Sequence, residues 1–170
     1  MNRAMGGGAP LLPNVRAVLR NEKTGQKQVF LAENLVTDDG DAYYARLGCG
    51  SAAPWNVVGI RLGTATATPV KGSHDVGGFV AGGTKAVDAN YPCNSDPDTD
   101  NAAYASADSV TWRFSFGTGD ANINNIAEGA IVDSLSSPTK CVCHFKFAAA
   151  FSKTSSDTLK VFVNHQFLGS

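Results

Sequence analysis

Three successive segments in the last third of this 170-residue chain alternate apolar and polar side chains with a period of two. Val110, Trp112, Phe114 and Phe116 alternate with Thr111, Arg113 and Ser115. Cys141, Cys143, Phe145 and Phe147 alternate with Val142, His144 and Lys146. Leu159, Val161, Val163, His165 and Phe167 alternate with Lys160, Phe162, Asn164 and Gln166. Neighbouring side chains on an extended chain point to opposite faces, so this pattern belongs to strands that lay one face on a core. Turn-rich stretches at 117–120, 134–138 and 152–157 separate the segments, and 126–132 supplies a further strand. The fold class is therefore mainly β: an antiparallel β-sandwich or jelly-roll-like barrel.

Composition supports this. Small or turn-forming Ala, Gly, Ser, Thr and Asn make up 78 of the 170 residues, and Asp outnumbers the helix-favouring Glu by 12 to 3. That excludes a helical bundle. The first half reads as a strand over 15–20, a Gly-containing turn over 21–26 and a returning strand over 27–31. One short helix is expected from Thr37, a good N-cap followed by Asp38 and Asp39, to Gly48, with Tyr43, Tyr44 and Leu47 as its packing face. Residues 57–63 form a strand with Val58, Ile60 and Leu62 on one face. The Gly- and Asp-rich stretch 64–108 is too long to lack structure, and short strands are expected at 79–80 and 85–89. Length fits one β domain over 14–170. Residues 1–13 read as a flexible N-terminal arm, with Gly6-Gly7-Gly8, Pro10 and Pro13 opposing regular structure.

The formal charge of −1 gives no broad basic footprint for nucleic acid. No apolar run reaches the ~18 residues of a membrane span, and 1–13 lacks the apolar core of a signal peptide. No catalytic set emerges, so the chain reads as a non-enzyme. Ser73-His74-Asp75 names a triad, but adjacent residues on extended chain diverge. His144 and His165 would meet only if their strands were neighbours. Cys141 and Cys143 should share a strand face, too far apart along the chain for a bridge. A Cys49–Cys93 bridge is compatible with their loop positions, but four cysteines allow three complete connectivities, and buried free thiols are the default. Asp96, Asp98 and Asp100 alternate like the start of a calcium loop, but Asn101 stands at the glycine position and Ala107 at the position of the bidentate Glu. Gly48-Cys49-Gly50-Ser51-Ala52-Ala53 follows a helix instead of opening one, and Gly82-Gly83-Thr84-Lys85 reverses the Lys-Thr order of a phosphate loop. Neither cofactor nor metal is expected. Trp55 and Phe79 would matter for a sugar-binding face if they are exposed.

A wider order of motifs remains. Asn34-Leu35-Val36-Thr37-Asp38-Asp39-Gly40 is followed by Trp55-Asn56-Val57-Val58-Gly59-Ile60-Arg61-Leu62-Gly63-Thr64, and then by Thr111-Trp112-Arg113-Phe114-Ser115-Phe116. Ile126-Ala127-Glu128-Gly129-Ala130 comes next, and Asp157-Thr158-Leu159-Lys160-Val161-Phe162-Val163-Asn164-His165 closes the series. Over residues 30–167 this order resembles small virion structural proteins of tailed bacteriophages. The resemblance implies a capsid decoration or cement protein at the capsid outer surface. Its partner would be the major capsid protein or another virion protein, and it would act as a homo-oligomer, a dimer or trimer. The arm would dock across a neighbour through Met5, Leu11 and Leu12. A tail, baseplate or fibre-attachment adaptor is the second reading, and a carbohydrate-binding β-sandwich for host contact the third.

Overall fold

The computed structural model describes residues 14–102 and 108–166. The N-terminal arm, with Met5, Leu11 and Leu12, lies outside the described residues. Val15–Asn21 (β1) and Lys27–Val36 (β2) form the expected hairpin, whose turn holds Gly25 at φ 72°, a conformation relaxed only for glycine. The strand β2 runs on to Val36 instead of ending at 31, because Ala32 to Val36 find a second partner across the sheet.

Thr37 then caps the helix Asp38–Gly48 (α1), its hydroxyl accepting from the Gly40 N–H at 3.1 Å, with three aspartates in the first turn. The expected packing face needs correction: Gly40 and Tyr43 are buried, whereas Leu47 is 45% exposed. The helix presses on the sheet at its first turn. A Cβ on Gly40 would lie 2.0 Å from the Val142 carbonyl oxygen, so only glycine permits this approach. Leu47, two turns on, emerges into solvent.

Gly59–Gly63 (β3) pairs with Phe79–Ala86 (β4). Val58 falls outside β3 and is exposed. One continuous β4 replaces the two short strands expected; as an edge strand it needs no sustained alternation. Ser109–Phe116 (β5), Ile126–Val132 (β6), Cys141–Phe151 (β7) and Asp157–Gln166 (β8) complete the sheet. All pairs are antiparallel, in the order β4-β3-β6-β7-β2-β1-β8-β5. The β1–β2 hairpin thus inserts between β7 and β8. The sheet curls until β4 approaches β5, and the Asp88 N–H, just beyond β4, donates to the Arg113 carbonyl of β5 at 3.0 Å. This is the barrel-like form of the expected fold class.

Inside lie Val15, Ala17, Phe114, Phe116, Phe145, Leu159, Val161 and Val163, and Gly129 leaves room for the Phe145 ring, which a Cβ there would meet at 2.5 Å. Several strands are buried on both faces, beyond what alternation predicts. Two outer covers account for this: the loop 64–78 lies on β6 and the segment 88–101 on β5 and β8, while α1 packs into the barrel end beside β7. Beneath the loop, Val76, Ala130, Val132, Cys141 and Leu135 form a second apolar cluster outside the barrel.

Candidate functional site

Each of the two outer covers is pinned by carboxylates. Glu128, at the middle of the otherwise apolar β6, is 1% exposed. Its Oε1 accepts from the Gly78 N–H at 2.7 Å and the Ala65 N–H at 3.1 Å. Its Oε2 accepts from the His144 Nε2–H at 2.8 Å and the Gly77 N–H at 3.0 Å. Burial pushes the carboxyl up, but the His144 contact and the two glycine N–H groups outweigh it, and the group sits below the usual Glu range. Gly63 lies under this cradle; a Cβ there would come within 2.4 Å of Oε1. Beside it the buried Arg61 donates to Asp75 at 2.7 Å and to the Leu135 carbonyl at 2.6 Å, and stacks over Phe79.

The segment 88–101 is held by alternating charges. Asp88 accepts from Arg113 Nε and Ser115 Oγ, both at 2.6 Å, and from the Ser115 N–H at 3.0 Å. Arg113 reaches on to Asp98 at 3.1 Å, and Lys160 bridges Asp98 and Asp100 at 2.9 and 3.2 Å. Lys27 also pairs with Asp100. Burial raises Asp98 and Asp100, and the lysine ammonium groups overcome it, so both lie below the ordinary Asp range. Asp96 accepts from the Tyr91 hydroxyl, the Asp98 N–H and Asn101 Nδ2. The calcium-like spacing is thus occupied by the protein's own cations and amides. Among the described residues no group of three or more His, Cys, Asp or Glu side chains is arranged to hold a metal.

The remaining sequence candidates separate. His74 bonds to Asp39 at 2.6 Å, while its neighbour Asp75 turns to Arg61. Ser137 lines the same open depression as the Asp39–His74 pair but makes no hydrogen bond to the imidazole. His144 and His165 do not meet, because two strands stand between β7 and β8. All four cysteines are free. Cys141 and Cys143 do not share surroundings: a register shift between Ile131 and Val132 places Cys141 in the outer cluster, its thiol donating to the Ser73 carbonyl, and leaves Cys143 in the barrel. Trp55 packs on Tyr43 and Phe79 lies under Arg61, so neither stands out as a free platform. Sequence reasoning did not single out Glu128 as a cradle, although a lone acid inside an apolar strand is itself a signal of buried polar chemistry.

The point where residues 1–13 join the barrel is firmly fixed. The Asn14 carbonyl accepts from the Asn164 N–H at 2.7 Å, and its Nδ2 donates to Asn34 Oδ1 at 2.9 Å. Among the described residues the large exposed apolar side chains, Val29, Leu47, Val58, Val70 and Phe79, are distributed over several elements. No family model, curated protein or solved structure matches the chain.

Proposed function

We propose that this protein is a non-enzymatic virion structural protein of a tailed bacteriophage, a decoration or cement protein that binds the major capsid protein lattice from outside. The observation that carries this reading is the order of motifs from Asn34 to His165. Its physical support is a barrel whose covers are pinned by the buried Glu128 and by half-buried aspartates such as Asp88, giving a stiff body with a fixed root at Asn14. A stiff body repeated on a symmetric lattice multiplies weak contacts through avidity. Docking of residues 1–13 would cost chain entropy, which burial of Met5, Leu11 and Leu12 would offset.

The test mixes purified protein with undecorated capsids and reads occupancy by electron microscopy. Saturable binding at a stoichiometry set by the lattice is expected, and removal of residues 1–13 should weaken it while the barrel stays folded. Binding to tails alone would overturn the proposal, and unchanged occupancy after the truncation would remove the arm from it.

A further inference from the structure

The two outer covers leave one part of the sheet bare among the described residues. The loop 64–78 lies on β6 and the segment 88–101 on β5 and β8, whereas the middle of the outer face, where β2 runs beside β7, carries neither. Ala32 of β2 and Phe145 and Phe147 of β7 belong to the barrel interior. Alternation therefore turns Leu31 and Glu33 outward on β2, and Lys146 and Ala148 outward on β7. These four line an open groove of about 300 Å³. Val29, 39% exposed, extends the β2 row.

Charge and size are distributed over this groove in a way that suits a second copy. Glu33 and Lys146 stand opposite each other in the β2–β7 register, and the same register carries Leu31 to Ala148 two residues further along. Although they are neighbours, Glu33 and Lys146 make no ion pair or hydrogen bond among the described residues. A two-fold axis lying in this face, parallel to the strands and midway between β2 and β7, lays β2 of one copy over β7 of the other at the same height. Glu33 then faces Lys146 of the second copy, and Lys146 faces its Glu33, so both ion pairs form together. The same rotation sets the large Leu31 on the small Ala148 twice. Self-complementarity of this kind is what a two-fold interface requires. Stacked sheets sit ~10 Å apart, within reach of these side chains.

Other occupants fit less well. A partner of one charge sign would satisfy only one of the two groups, and a purely apolar segment would cover both charges without pairing either. We propose that the bare β2–β7 face is a dimer interface closed by a second copy of this chain, with Glu33–Lys146 pairs made reciprocally and Leu31 packed on Ala148 across the two-fold axis. The dimer is independent of capsid binding and forms without capsids.

Full-length protein is followed by sedimentation velocity over about a hundredfold range of concentration, up to about 0.5 mM. A reversible monomer–dimer equilibrium is expected. Glu33→Lys and Lys146→Glu each set like charges against one another at both symmetric contacts, and each should raise the dissociation constant roughly tenfold. Combining Glu33→Lys with Lys146→Glu restores opposite signs and should recover most of the affinity. Melting temperatures confirm that each variant folds, and Ala148→Arg, which fills the groove, replaces a charge variant that does not. Benzoylphenylalanine at position 29 should cross-link to β7 of a second copy. The proposal is overturned if the protein stays monomeric throughout, or if a dimer forms that is indifferent to the charge reversals or is not rescued by combining them. A cross-link to residues 1–13 of the same chain would show that segment covering the groove, and also overturns it.

Discussion

Replacing Glu128 by alanine removes four hydrogen bonds at once and leaves the N–H groups of Ala65, Gly77 and Gly78 and the His144 imidazole around an empty space. Hydrogen bonds to a charged group are worth about 1.5–3 kcal/mol each. Their simple sum overstates the loss, because the loop 64–78 lies on the outside and its N–H groups find water once it lifts. Lifting exposes Val76 and the outer cluster beneath it, and a single valine re-exposed costs about 1.5–3 kcal/mol. The cost of Glu128→Ala is therefore limited by undocking of the loop, and about 3–5 kcal/mol is expected. Glu128→Gln keeps the volume and one acceptor oxygen but turns an NH₂ toward donors, so roughly half that loss is expected. Urea denaturation at neutral pH measures both, and limited proteolysis reports whether cleavage concentrates at 64–78. If Glu128→Ala stays within about 1 kcal/mol of the parent, or the loop remains as resistant as before, the cradle does not hold the cover and the reasoning fails.

Gly40→Ala would ordinarily favour a helix by about 1 kcal/mol, but here the added carbon meets the Val142 carbonyl at 2.0 Å. A net loss of about 1–3 kcal/mol is expected. Gly48→Ala, with open space around it, should be neutral or stabilising; equal effects in thermal melts would refute the close packing of α1. Asp88→Asn should loosen the seam between β4 and β5, accelerating hydrogen exchange at the Asp88 and Ser115 amides while β1 stays protected. Unchanged exchange there would remove Asp88 from barrel closure. Burial lowers the His165 pKa to about 4, so the unfolded chain binds an extra proton between pH 4 and the ordinary 6.5. Its contribution to stability is complete above about pH 6.5 and falls as pH drops toward 4, by up to about 1.4 kcal/mol per pH unit. The lowered carboxyls of Glu128, Asp98 and Asp100 act in a lower window: their contribution is present above the ordinary carboxylate range and is lost as pH falls through their depressed values. Chemical denaturation of His165→Gln across pH 4–6.5 should show a shallower slope than the parent, and identical slopes would contradict the buried neutral imidazole.

The sequence was most legible where backbone and side chain demand the same thing locally. Period-two alternation located β5, β7 and β8, because strand geometry alone sends alternate residues inward. The Thr37 cap and its aspartates located α1, because a helix start has unpaired N–H groups that only such residues answer. The pinning of segment 88–101 was half visible: the spacing of Asp96, Asp98 and Asp100 stood out, but the partners Arg113 and Lys160 come from strands brought alongside by folding.

By itself, then, the sequence determined a β architecture, its single helix among the described residues and the polar character of its loops, since propensity, capping and alternation act over a few neighbours. Tertiary structure alone decided which faces became doubly buried, that Leu47 would emerge while Gly40 touched the sheet, and that Cys141 and Cys143 would part company at a bulge. It also decided the fate of the histidines. The insertion of β2 and β1 between β7 and β8 sent His144 to Glu128 under a loop, and His165 to Tyr44 at an open rim. Such outcomes depend on strand order, and strand order is fixed by the packing of the whole sheet and leaves no periodic mark along the chain.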